Sequence, residues 1–303
     1  GEGDLLAPLA GRLVCNRRLT AQEWAQDVRH LEIEIPFPVD YAAGDVAVLC
    51  PENDAGKVAT FLASQGIDPE SELSISINPE YRPLSWEESQ LGIPSNSSGG
   101  GTASAAAALD LPRRCTAAAL FGRWLDLLGT PRRDFFERLS LYAKDNEEKE
   151  KLLELASSEG ADLLHDYCTR EKRTYAEVLG DFPSCKLGLS ELASLIKRLP
   201  PRSYSIASSS LVNPCKVDLC VAVVEYLTRY RRTVTGICSS WLANLEEGAL
   251  IHLWVRQGTF VAPPDLESPM ILVGPGTGVA PMRALLQERR QALLLGSRRR
   301  GAS

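Results

Sequence analysis

Three short segments in the second half of the chain combine residue types that suit a flat, phosphate-bearing ligand. The first is Arg202-Ser203-Tyr204-Ser205, in which a guanidinium fork suits a pyrophosphate and a tyrosine ring suits stacking on a heterocycle. Alternation along a predicted strand places Arg202 and Tyr204 on one face and the two serines on the other. Alone, these four residues favour an exposed arginine beside a core tyrosine over a binding site.

The other two segments are glycine-containing turns that lead into predicted helices. Gly236-Ile237-Cys238-Ser239-Ser240 opens one helix, and Gly274-Pro275-Gly276-Thr277-Gly278 follows the apolar run at residues 270–273. Glycines let the backbone approach a ligand closely, and the free N–H groups at a helix start attract phosphate. Each turn in isolation is also consistent with plain helix capping or a tight strand-to-helix turn.

Composition limits the classes of protein that this chain represents. Its 303 residues are 44% hydrophobic and 24% charged, which is typical of a soluble globular chain with one large domain or two smaller ones. A net charge of -6 disfavours binding along a nucleic-acid backbone, and no run approaches the roughly 18 apolar residues of a membrane span. Eight cysteines without a C-x-x-C pair and three distant histidines disfavour a metal site and favour reduced thiols in a cytoplasmic protein.

Periodicity predicts two strand-rich regions separated by helices. The first strands are predicted at 11–16, 28–35, 45–50 and 73–77. Residues 95–108 are rich in Ser, Gly and Ala, which predicts a disordered insertion. Six helices are predicted next, at 117–128, from 131 past 139, and at 145–158, 161–168, 174–179 and 190–199. Strands return at 203–207, 216–226, 249–255 and 270–273, and a last helix runs to about residue 295.

The order of the motifs resembles the FAD-binding half of the diflavin reductases related to cytochrome P450 reductase and, more distantly, plant-type ferredoxin–NADP reductase. Arg-x-Tyr-Ser precedes a long strand ending in Val224-Glu225-Tyr226, then Gly-x-x-Ser-Ser-Trp-Leu, then Gly-Pro-Gly-Thr-Gly-Val-Ala-Pro. Within that group the chain resembles the NADPH-dependent diflavin oxidoreductases of cytosolic iron–sulfur assembly. This closer resemblance rests on residues 150–155, 173–183, 238–243 and 253–256. The resemblance covers about residues 11–289, except 80–109.

The resemblance implies a fold and its boundaries. We expect a ferredoxin–NADP reductase-like FAD-binding β-barrel with an inserted all-α connecting domain, followed by a truncated α/β NADP-binding unit. The FAD-binding domain would span residues 1–268, with the helical insert at about 111–199 and the disordered insertion at about 95–108. Residues 269–303 would be the start of the NADP-binding domain, followed by a tail unlike the family.

The resemblance also implies roles for individual residues. Arg202 would contact the FAD pyrophosphate, Tyr204 would stack on the isoalloxazine ring, and Ser205 would be the catalytic residue near the flavin N5, which receives hydride. Lys172 stands where the family often has an arginine on the flavin phosphate; it keeps the charge but lacks the bidentate fork. The other residues expected to bind FAD are Ser203, Cys220, Val221, Ala222, Tyr226, Gly236, Ile237, Cys238 and Ser239. Those expected to touch NADPH phosphates are Gly276, Thr277 and Gly278.

The function implied is the passage of electrons from NADPH through FAD and FMN to a protein acceptor, an anamorsin-like iron–sulfur assembly protein, in the cytoplasm. We expect no metal, nucleic acid or membrane partner. Because the FMN domain and most of the NADPH domain are not found in the sequence, we expect a chain that binds FAD without being a competent NADPH enzyme alone. Two alternatives remain open: part of a P450 reductase or methionine synthase reductase relative, and a non-catalytic interaction module.

Overall fold

The computed structural model of this chain describes residues 9–75, 112–263 and 265–300. The strands in these ranges are β1 (Leu9–Arg18), β2 (Val28–Glu34), β3 (Val46–Leu49), β4 (Glu72–Ser74), β5 (Arg114–Thr116), β6 (Arg202–Ser205), β7 (Lys216–Ala222), β8 (Glu225–Leu227), β9 (Thr233–Thr235) and β10 (Leu250–Arg256). Six of them form one antiparallel sheet with the order β6-β3-β10-β1-β2-β7, while β4 pairs with β5 and β8 with β9.

The outer strands of the six-stranded sheet meet, so the sheet closes on itself as a barrel. An antiparallel bridge joins Ile206, just after β6, to Leu219 of β7, and the Ala207 N–H donates to the Asp218 carbonyl over 2.8 Å. Leu31 and Ile33 of β2 point into the barrel, as their alternation in the sequence predicts, and both are fully buried. The predicted antiparallel β unit is therefore confirmed.

Helices are concentrated between β5 and β6, where they enclose a second apolar core. Phe121, Phe135 and Tyr175 lie in this core, and the rings of Phe135 and Tyr175 meet edge-on with centroids 4.8 Å apart. The helices of the described residues are α1 (Ala55–Ser64), α2 (Ala117–Ala119), α3 (Arg133–Leu139), α4 (Asn146–Ala156), α5 (Ala161–Leu164), α6 (Tyr175–Asp181), α7 (Leu189–Leu195), α8 (Ile237–Asn244) and α9 (Val279–Arg300). Helices α2 and α5 continue as π-helices, at Leu120–Trp124 and His165–Thr169.

Three local predictions differ from the structure. The helix predicted at 117–128 ends at Trp124, because Leu125 is extended and bridges Arg198. The strand predicted at 216–226 breaks after Ala222, and residues 225–227 pair with β9 instead. Residues 270–273 form no strand, and Ile271 is 93% exposed, since no described strand lies beside them. The insertion predicted at 95–108 and the end of the strand predicted at 73–77 lie outside the described residues.

Polar contacts hold α9 against the barrel. Arg283 forms an ion pair of 2.8 Å with Asp218 of β7, and the Ala43 N–H donates to the Glu288 carboxylate over 2.7 Å. A small apolar contact joins Ala43 to Ala284 and Leu285 of the helix. None of the described helices, α9 included, has the length and apolar character needed to cross a membrane.

Candidate functional site

Tyr204 connects the barrel to the start of α8. It lies on β6 opposite Ala47 of β3, and its half-buried ring packs against the barrel core. The same core contains Cys238, the second residue of α8, and the tyrosine hydroxyl lies close enough to the thiol for the two groups to interact electrostatically. Burial raises the pKa of both groups, to about 11 for Cys238, so the thiol keeps its proton at neutral pH. This contact brings together two of the three segments singled out in the sequence.

Arg202 stands two residues before Tyr204 on the same strand. Its exposed guanidinium donates from one nitrogen to the carbonyl oxygens of Pro200 (2.7 Å) and Pro201 (3.3 Å). These bonds leave the other N–H donors of the fork for a ligand. Asp126 lies nearby: burial raises its carboxyl pKa to about 6, and the charge of Arg202 opposes that rise.

The two serines of β6 have different surroundings. Ser205 is half-buried and pairs with Val46 of β3. Ser203 is exposed, and its hydroxyl accepts a long hydrogen bond of 3.4 Å from Arg256 of β10. The predicted role of Ser205 beside a flavin stays a prediction.

The start of α8 is an uncapped helix terminus built around Gly236. The N–H groups of the first turn have no partner within a helix, and here no side chain caps them. The Ser239 hydroxyl instead accepts the Val224 N–H over 3.0 Å, and the Gly236 N–H donates to the Val224 carbonyl over 2.8 Å. A Cβ on Gly236 would lie 2.7 Å from Ser239 Oγ, so only glycine fits this bend without rearrangement. The backbone at this helix start can therefore approach a ligand closely, and its N–H groups suit an anion.

The predicted residues of β7 and β8 lie on different faces. Cys220 and Ala222 are half-buried outside the barrel core, and Tyr226 is exposed on β8. Val221 is 1% exposed and lies in the barrel core, which leaves its backbone rather than its side chain for any cofactor contact. Three of these four side chains are therefore open to a ligand.

Lys172 occupies a tight turn between the α5 π-helix and α6. It is exposed, and its φ of +52° is in the left-handed region, which non-glycine residues rarely adopt. The next turn is a capping box: Thr174 Oγ accepts the Glu177 N–H, and the Glu177 carboxylate accepts the Thr174 N–H over 2.8 Å. The same carboxylate pairs with Arg232 at 2.6 Å, between β8 and β9.

The third glycine segment forms a 3-10 turn at Gly276–Gly278, directly before α9 and against β7. Gly276 has φ +58°, and a Cβ on Gly274 would lie 2.4 Å from the Gly278 carbonyl oxygen. Close packing therefore accounts for Gly274 and the left-handed backbone for Gly276, without any ligand. The predicted contact of Thr277 with NADPH phosphates stays a prediction.

One cluster of potential metal ligands lies outside these segments, among the described residues. The ligand atoms of His30, Glu32 and Asp218 all lie within 4.8 Å of one another. Lys216 pairs with Glu32, and Arg283 pairs with Asp218, so the two carboxylates already have cationic partners. The charge balance of the cluster needs no ion.

Three residues of the site region were missed in the sequence: Asp126, Glu177 and Arg232. Thr174-x-x-Glu177 is a readable capping-box signal. The partner of Glu177, however, lies 55 residues further along the chain. Nothing local in the sequence marks Asp126 as a neighbour of Arg202.

The arrangement fits a flavin dinucleotide. It offers an aromatic ring on β6, a neighbouring guanidinium and an uncapped helix start that follows a glycine, with Tyr204 and Cys238 packed on the same barrel core. The family model described as "FAD binding domain" matches residues 5–241. The chain belongs to this family of FAD-binding domains.

The relatives share one name. The chain is 39% identical over 290 residues to the NADPH-dependent diflavin oxidoreductase 1 of Danio rerio, covering 94% of the chain and 45% of that protein. The protein of the same name from Bos taurus is 38% identical, over 99% of the chain and 48% of the relative. The Arabidopsis thaliana protein is 37% identical, over 92% and 42%. The chain therefore spans less than half the length of these curated relatives.

Proposed function

We propose that this chain binds FAD between β6 and the start of α8, as the flavin-binding part of an NADPH-dependent oxidoreductase. The observation that carries the proposal is that Tyr204 and Cys238 pack on one barrel core, which places an aromatic ring near an uncapped helix start that follows a glycine. When bound, FAD accepts a hydride and releases electrons one at a time. The protein supplies the binding, the orientation and the charge around it.

Individual residues receive separate tasks in this proposal. Arg202 neutralises the FAD diphosphate together with the first-turn N–H groups of α8, since a guanidinium fork and a helix start both favour phosphate. Tyr204 supports the face of the isoalloxazine ring, and Ser205 stands near its N5 atom. Lys172 adds a cation from the turn before α6. Tyr226, exposed on β8, borders the adenosine end.

The wider proposal follows the similarity to the diflavin oxidoreductase 1 proteins. The helices between about residues 111 and 199 serve as a connecting domain inserted in the barrel, and the turn at Gly276–Gly278 begins the NADPH-binding part. Electrons pass by way of FMN, bound outside this chain, to a protein acceptor. We propose an anamorsin-like acceptor in cytoplasmic iron–sulfur cluster assembly, which rests on resemblance alone.

Flavin release tests the proposal. The purified chain is loaded with an equimolar mixture of FAD and FMN, washed, denatured and chromatographed; we expect FAD as the main flavin. Arg202→Ala should weaken FAD binding by about ten- to a hundredfold, because a charge-assisted contact contributes about 1.5–3 kcal/mol. Arg17→Ala, at an exposed arginine on β1, is the matched control and should leave the affinity unchanged. Retention of FMN as the main species, or of no flavin, would overturn the proposal.

A further inference from the structure

The hairpin formed by β8 and β9 stands apart from the barrel sheet. Its strands have three residues each and pair only with one another in the described part of the chain. All three residues of β8 are exposed, so little apolar burial holds the hairpin in place. Its tip closes with a hydrogen bond from the Thr228 N–H to the Arg232 carbonyl over 2.9 Å.

This hairpin connects two parts of the proposed flavin site. Tyr226 lies on β8, and β9 leads directly into Gly236 and α8. At the base, Val224 is bonded to both Gly236 and Ser239. A movement of the hairpin therefore moves the adenosine border and pulls on the start of α8.

The tip of the hairpin is fastened to the helical region by side chains alone. Arg232 donates to the Glu177 carboxylate over 2.6 Å, and the Arg170 guanidinium lies 5.7 Å from the centre of the Tyr230 ring. The pair between Glu177 and Arg232 is partly buried, with side-chain exposures of 40% and 34%. These two contacts are cross-links between the hairpin and the segment at residues 165–181.

The two carboxylate oxygens of Glu177 contact different segments, the hairpin and the start of α6. Oε1 accepts from Arg232, and Oε2 accepts the Thr174 N–H of the capping box, which ends the turn that carries Lys172. Hydrogen bonds and the Arg232 charge outweigh burial and lower the pKa of the Glu177 carboxyl, so it is ionised at neutral pH. One carboxylate thus orients a cationic turn and a cationic hairpin at once.

We propose that Glu177 is a positioning residue for the flavin site, and that its ion pair with Arg232 holds the hairpin closed over the adenosine–diphosphate end of FAD. The inference rests on the proposed function and deepens it. Breaking the pair loosens the tip, which then keeps only the contact between Arg170 and Tyr230, and leaves Tyr204 and the barrel unchanged. The rate at which FAD leaves should rise, whereas contacts to the isoalloxazine ring should stay.

The decisive variant is Arg232→Gln, because it breaks the ion pair and keeps the capping box of α6 intact. FAD dissociation is followed by the recovery of flavin fluorescence after dilution, and we expect it to be about two- to fivefold faster. Glu177→Gln should act in the same direction, and the double variant should add little to either single one. Lys151→Gln is the matched control, since it breaks a comparable exposed pair with Glu154 on α4.

FMN lacks the adenosine half of FAD. Its binding therefore shows whether the ion pair acts on the adenosine end of FAD or whether the variant loosens the whole flavin site. Arg232→Gln should leave FMN affinity unchanged, and its effect on FAD should disappear in about 1 M salt, where ion pairs are screened. Equal FAD dissociation rates in wild type and Arg232→Gln, or an equal loss of FMN affinity, would overturn the inference while leaving the FAD site in place. A wild-type chain that binds no FAD would overturn the site and the inference together.

Discussion

Arg283 of α9 and Asp218 of β7 form a 2.8 Å ion pair that joins the last helix to the barrel. Asp218 is almost fully buried, whereas Arg283 is 42% exposed at its side chain. The other carboxylate oxygen of Asp218 is buried without a hydrogen-bond partner among the described residues. Removal of the cation would therefore leave a buried charge unpaired, which is costlier than the loss of an exposed pair.

We predict that Arg283→Gln loosens the docking of α9 by about 1–3 kcal/mol. Amide hydrogens at residues 279–290 should then exchange at least about tenfold faster, which hydrogen exchange with mass spectrometry measures directly. Arg290→Gln, at an exposed residue of the same helix, is the control. Unchanged exchange in the Arg283 variant would mean that the apolar contact with Ala43 is sufficient to hold the helix.

Two variants of Tyr204 distinguish the contribution of its ring to FAD binding from that of its hydroxyl. Tyr204→Ala should weaken FAD binding by about 1–3 kcal/mol, the usual range for loss of an aromatic stacking partner. Tyr204→Phe keeps the ring and removes only the hydroxyl group, so we expect a loss below about 1 kcal/mol. Fluorescence titration measures both, and equal losses would show that the ring itself does not contact the flavin.

Gly236→Ala should weaken FAD binding and lower stability, because its Cβ would lie 2.7 Å from Ser239 Oγ and 2.8 Å from Val224 Cβ. Both atoms belong to the contacts that shape the start of α8. Gly180→Ala is the control: its Cβ meets open space within α6, so it should be neutral or stabilise by up to about 1 kcal/mol. Full FAD affinity in the Gly236 variant would contradict the close approach of backbone and phosphate.

Asp126 should make stability depend on pH. Its pKa rises from 3.8 to about 6 on folding, chiefly through burial, so the folded protein holds the proton longer than the unfolded chain. Stability from this group is present below about pH 4 and is lost as the pH rises to about 6, by up to about 3 kcal/mol. Urea unfolding of wild type and Asp126→Asn at several pH values checks this. The advantage of the Asn variant should grow from pH 4 to 7, and a constant difference would refute it.

What could be predicted from the sequence is the part that depends on near neighbours along the chain. Alternation located Leu31 and Ile33 in the barrel core, and the glycine before Ile237 marked a helix start. Prediction from local sequence failed at residues 270–273, whose continuous apolar run predicted a strand although no described strand pairs with them. Apolar character predicts burial only where a partner surface exists.

The remaining features depend on contacts between distant segments. The ion pair between Glu177 and Arg232 spans 55 residues, and Asp126 lies near Arg202 only because the chain returns there from the helices. The break after Ala222 likewise depends on a contact with another element, because the Val224 N–H bonds to Ser239 of α8 instead of to a strand. The cofactor roles drawn from resemblance stay predictions until flavin binding is measured.

The strand order of the barrel has a consequence for how the chain folds during synthesis. In the described sheet, β3 pairs only with β6 and β10, both of which leave the ribosome long after it. The helical core, by contrast, draws on residues between Val58 and Ile196 and can assemble first. We expect nascent chains to gain resistance to protease in two steps, the helical core first and the barrel only after β10 has emerged. A single step would mean that the two cores form together.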